Sequence, residues 1–155
     1  MKKLFSVLAL ALLFVTGGIA AGQGFSAPSL EYMGTQMDGS ITVRVTASGR
    51  NYKDAIDQAR KFALKQTLFR GIRTGDPLLS KPLVTEVNAE EKYQTFFNAF
   101  FADTGVFSNF VSSEDKRLGS NERVGGKIQV KVVSTIRVLR PQLKQYLLDN
   151  EILKP

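Results

Sequence analysis

No cysteine, histidine or tryptophan occurs among the 155 residues. The missing cysteine excludes disulfides, thiol nucleophiles, zinc fingers, iron–sulfur sites and the acylated anchor of a bacterial lipoprotein. The missing histidine removes the Ser-His-Asp triad, the usual zinc sites and imidazole acid–base chemistry. Chemistry built on carboxylates, lysine, serine or tyrosine survives. Negative charge is also scarce, with 14 Asp+Glu against 21 Lys+Arg and a net charge of +7. What is present is a 43% hydrophobic chain, enough apolar material for one domain with its own core.

Met1-Lys2-Lys3 is a short basic start, and Leu4 to Val15 is an apolar run broken only by Ser6, ahead of the small residues 16–24. This three-part pattern predicts a secretory signal peptide over 1–22. The run is shorter than the ~20 residues an anchor needs to span the hydrocarbon core. Ala20-Ala21-Gly22 fits the small-x-small cleavage rule, and Gly18-Ile19-Ala20 is an alternative. The expected product is exported, to the periplasm, the outer-membrane periphery or the extracellular space, with no transmembrane anchor after cleavage.

Residues 23–39 are rich in Gly, Ser and small polar side chains without clear periodicity, and read as a flexible leader. A single domain is expected over 40–155. Ile41, Val43, Val45 and Ala47 alternate with polar residues as in a half-buried strand. Asn51 with Asp54 opens a helix, on which Tyr52, Ala55, Ile56, Ala59, Phe62, Ala63 and Phe69 form one stripe. Gly71 or Gly75 ends it. Residues 73–87 read as a long, partly packed connection, and Ala89 to Asp103 as a second helix behind Asn88. Val106 to Ser112 reads as a strand, and 113–126 as a hairpin connection. In the long strand that follows, Ile128, Val130, Val132, Ile136 and Val138 share one face. Pro141 starts a last helix. The β-α-α-β-β-α order predicts an α+β fold, an antiparallel sheet of about three strands with helices on one face.

Few residues carry chemistry. The glycine-rich stretch 119–127 fails as a phosphate loop, because Asn121 stands where its first glycine should be, Ile128 follows Lys127, and a strand comes next. Glu86, Glu90, Glu91 and Asp103 show no spacing that fixes an acid–base pair, and Glu90 and Glu91 suit the start of a helix. No catalytic residue, cofactor site or metal site is assigned, and the expectation is a noncatalytic protein. Six of the eleven phenylalanines fall between Phe96 and Phe110. Tyr93, Phe96, Phe97, Phe100 and Phe101 cover more than one helix face, so they are candidates for a protein interface or for the core. Between Arg50 and Arg73 seven basic residues face two acidic ones. Of these, Lys53, Arg60, Lys61 and Lys65 lie opposite the apolar stripe, either as a solvated face or as a dock for anionic lipid, lipopolysaccharide or wall polymer. Nucleic acid is not expected, since export and the lack of interleaved aromatics argue against it.

The run Ile41-Thr-Val-Arg-Val-Thr-Ala-Ser-Gly49, followed by Ala55, Ala59-Arg60 and Ala63, resembles the N-terminal domain of flagellar assembly protein T. The same domain type occurs in small envelope lipoproteins. In that family a strand ending in Gly leads into an A-x-x-x-A-R-x-x-A helix, and Lys127 to Leu148 is similar to its later strands and short last helix. The resemblance covers 40–72 and 105–150. It implies a noncatalytic assembly or adaptor domain and brings no active site. The leading expectation is an envelope protein that binds another protein or itself; the alternative is an anion-binding module.

Overall fold

A computed structural model describes residues 27–115, 120–124 and 127–154. The expected signal peptide and its cleavage site lie outside the described residues. The chain is α+β, with five antiparallel strands among the described residues. They are β1 (Ser29–Thr35), β2 (Ile41–Gly49), β3 (Val111–Ser113), β4 (Ser120–Val124) and β5 (Lys127–Val138). The sheet order is β1-β2-β5-β3, and β4 also pairs with β5. β2 takes one edge of β5 from Val130 to Val138. β4, on 127–131, and β3, on 136–138, therefore share the other edge.

The alternation in β2 and β5 follows from burial on one face: Ile41, Val43, Val45 and Ala47 are buried opposite Val138, Ile136, Ser134 and Val132. Ser134 stands where the apolar pattern skips a residue. Its hydroxyl shares a 2.6 Å hydrogen bond with the Ser113 hydroxyl, so its burial leaves no polar atom unmatched.

Helix α1 (Tyr52–Lys65) crosses this face. Asn51 Oδ1 accepts from the Asp54 amide at 2.9 Å, and the Asp54 carboxylate accepts from the Arg50 amide at 2.8 Å. The first bond satisfies one orphan donor of the helix start, and the second holds the residue before the cap. Ala55, Ala59 and Ala63 are wholly buried and let the helix lie close on the sheet. A Cβ on Gly49 would sit 2.4 Å from the Ala55 nitrogen, so the end of β2 touches the first turn of α1 and only glycine fits there.

α1 runs into one wide turn over Gln66–Arg70, where the Gly71 amide reaches back to the Gln66 carbonyl. Gly71 then leaves at φ +75°, against the Ser80 carbonyl. The widening frees the Thr67 and Leu68 carbonyls, which accept from the Leu83 and Val84 amides at 3.1 and 2.9 Å. In this way the 73–87 connection is tied to the helix end, and it contains a short helix, α2 (Pro77–Ser80).

Several expectations need correction. The sheet has five strands rather than about three. The expected leader contains β1, so folded structure begins before residue 40. The expected helix 89–103 is broken into α3 (Ala89–Lys92) and α4 (Gln94–Phe100), since Tyr93, with φ −105° and ψ 30°, leaves helical geometry. Val106–Phe110 is a 3₁₀ turn, and only Val111–Ser113 is strand. Within the expected hairpin connection Ser120–Val124 is itself a strand. The last helix, α5 (Arg140–Asp149), buries Leu143 and Leu147.

Candidate interaction cleft

The aromatic segment is largely the second half of the core. Phe97 and Phe100 are 3% and 2% exposed. Phe97 meets Phe69 edge-on, with centroids 4.9 Å apart, and Phe100 stacks on Phe110 at 5.9 Å. Tyr146 of α5 closes the cluster against Phe96, Phe100 and Phe110. Tyr93, Phe96 and Phe101 remain half-buried. Much of the excess aromatic surface is thus absorbed inside the molecule, where such pairs contribute about 0.5–1.5 kcal/mol each beyond area burial.

The four basic candidates divide into two pairs. Lys53 and Arg60 face a small cleft of about 260 Å³ with Tyr52, Asp57, Ser113 and Asp115. Arg60 pairs with Asp57 at 3.4 Å, and its Nε is buried without a hydrogen-bond partner. Lys53 is exposed and carries no ion pair among the described residues. On the other flank Lys61 pairs with Asp103 at 2.9 Å and lies 5.2 Å from the Phe107 ring centre. Lys65 pairs with Glu90 at 3.4 Å and lies 5.3 Å from the Phe101 ring centre. Three of the four are therefore already matched to carboxylates, and the four are divided between two flanks of α1.

Lys65 and Phe101 are where the two sets of candidates meet. Two open clefts, of about 680 and 550 Å³, share these two residues. The first lies between α1 and the end of β2, with Arg50, Asp54, Gln58, Lys61 and Phe62 on its walls. The second lies between α1 and α3–α4, with Phe69, Glu86, Glu90, Glu91 and Asn98. Together they make a groove with half-buried Phe62, Phe69 and Phe101 along it. Basic Arg50, Lys61 and Lys65 and acidic Asp54, Glu86, Glu90 and Glu91 stand along its walls, with Lys65 paired to Glu90 where the clefts meet.

The electrostatics of the rim are local. Lys61 beside Asp103 holds that carboxyl below its ordinary value. Hydrogen bonds from Lys92 and then Tyr93 lower Glu86, and the same Glu86 contact raises Lys92. Asp54 is lowered chiefly by the Arg50 amide. These groups are exposed enough that solvent screens most of their attraction. Among the described residues no cluster of acidic side chains is arranged to hold a metal ion, and no helix is long and apolar enough to cross a membrane.

Phe62, Phe69 and Glu90 were not singled out as site residues by sequence reasoning. The signal for the first two lay in the stripe itself: Phe62 is at its edge and Phe69 lies within the wide turn, and both are only partly covered. No family model, curated protein or solved structure matches the chain.

Proposed function

We propose that the chain is an exported, noncatalytic envelope module that holds a segment of a partner protein in the groove that α1 forms with the end of β2 and with α3–α4. The observation that carries this reading is the meeting of the two clefts at Lys65 and Phe101. It makes a half-buried aromatic strip flanked by opposite charges. A strip of that kind suits an extended peptide, with apolar side chains on the rings and charged side chains of both signs meeting the rim. The resemblance of 40–72 and 105–150 to the flagellar assembly domain supports the same noncatalytic role.

Photo-crosslinking side chains placed at the exposed positions Gln58 and Asn98 in the cell test it, with exposed Asn121 on β4 as the reference position. The expected result is one discrete protein adduct from both cleft positions and none from Asn121. Lys65→Glu, with or without Glu90→Lys, is expected to abolish the adduct; the double variant restores the ion pair but reverses the charge around it. A partner captured equally from Asn121, or retained by the double variant, overturns the reading.

A further inference from the structure

One end of the molecule gathers exposed apolar tips and an excess of positive charge. Met37, in the turn between β1 and β2, is fully exposed, and Leu78 in α2 is 72% exposed. The two tips flank the start of α5. Gly39, two residues past Met37, packs on Pro141, and the Arg140 guanidinium donates to the Leu78 carbonyl at 2.9 Å. The Ile72 amide donates to the Leu79 carbonyl at 2.8 Å, which sets Arg73 and Lys81 beside the same tip. Lys144 follows one turn along α5. Arg73, Lys81 and Lys144 are exposed and have no ion pair among the described residues. Asp76, which accepts from the Leu78 amide at 2.8 Å, offsets Arg140, and Glu86 lines a cleft with Lys144, so the exposed Arg73 and Lys81 supply the excess. Asp38, on the neighbouring turn, is bound to Ser40 and Arg137, and Glu114 also lies against Arg137.

We propose that this end docks on an anionic lipid bilayer, with Met37 and Leu78 entering the interface and the exposed Arg73, Lys81 and Lys144 lying among the headgroup phosphates. Apolar side chains that project singly from separate segments do not form the contiguous dry patch of a protein interface. A headgroup layer accepts each separately, and surrounding cations add attraction to anionic lipid. The inference is independent of the cleft reading, since the two surfaces involve different residues.

The test is flotation of the processed chain, recovered from cells without detergent, with phosphatidylcholine vesicles and with vesicles also containing phosphatidylglycerol. Binding is expected only to the second, weakening steeply as salt rises. Met37→Ser with Leu78→Ser is expected to weaken it by at least about tenfold. Arg73→Gln and Lys81→Gln are each expected to weaken it by about fivefold. Ile128→Ser removes another exposed apolar side chain, at the far end of β5, and is expected to change nothing. All these substitutions are at exposed positions, and an unchanged melting curve confirms the fold. No binding to phosphatidylglycerol vesicles at low salt overturns the proposal. So does equal loss with Ile128→Ser, or full competition by millimolar inorganic phosphate, which marks a discrete anion site. Adduct formation from Gln58 and Asn98 is expected to survive the Met37/Leu78 substitutions, so the two proposals fail separately.

Discussion

At the scale of single residues, the tightest constraint is where α1 meets the end of β2. A methyl group at Gly49 meets backbone atoms of Asp54 and Ala55 within 2.8 Å, and backbone cannot swing aside as a flexible side chain can. Gly34, at the irregular register of β1, has open space around its Cβ position. Gly49→Ala is therefore expected to destabilise by about 1–3 kcal/mol, whereas Gly34→Ala is expected to stay within about 0.5 kcal/mol of the parent. Urea unfolding of the two variants checks this, and equal midpoints would show that the helix start can retreat from the sheet. The sequence announces this glycine only as the end of a strand; the closeness of α1 depends also on Ala55, whose spacing with Ala59 and Ala63 is visible.

At the scale of elements, the aromatic helix illustrates what a pattern does and does not contain. Phenylalanines at 96, 97, 100 and 101 show that one helix face cannot cover them all. They do not show that a bend at Tyr93, the 3₁₀ turn carrying Phe107 and Phe110, and Tyr146 of α5 surround the excess. Phe97→Ala is expected to cost about 3–5 kcal/mol, as a cavity in the core does, while Lys65→Gln on the cleft rim costs less than about 1 kcal/mol. Comparable losses in thermal or chemical unfolding would mean that the rim, too, is structural. The missed strands have their own physical reasons. Ser29-Leu30-Glu31-Tyr32 alternates, but the irregularity between Tyr32 and Gly34 breaks the period after four residues. Ser120-Asn121-Glu122-Arg123 has no apolar alternation at all, and its strand exists through pairing with β5. The strands with a buried face and the Ala-rich helix were legible. The groove was not, because it depends on bringing Lys65 against a ring thirty-six positions later.

For the whole molecule, acid is the relevant stress. Carboxyls on separate parts of the fold sit below their ordinary values: Asp38 through Ser40 and then Arg137, Asp54 through the Arg50 amide, Glu86 through Lys92, and Asp103 through Lys61. Because the folded values are the lower ones, their stabilisation is complete above the unfolded range near pH 4. It is lost as pH falls through the folded values. The melting temperature is expected to be nearly level from about pH 5 to 8 and to drop below about pH 4, with the drop blunted by Asp38→Asn and Asp54→Asn together. A melting temperature that rises on acidification from pH 5 to 3 contradicts this assignment.

β5 borders every strand except β1, and its principal partner, β2, lies near the other end of the folded chain. Arg137 and Ser40, hydrogen-bonded at 2.9 Å, are 97 positions apart. The loop between them has to be closed before the central pairing gives any return, so early assembly is confined to local helices and turns. As the chain emerges from the ribosome, the sheet has no centre until β5 follows, long after its partner β2. A protein built in this order stays threadable until β5 has been made, and the closing of its sheet is timed by the arrival of that single strand.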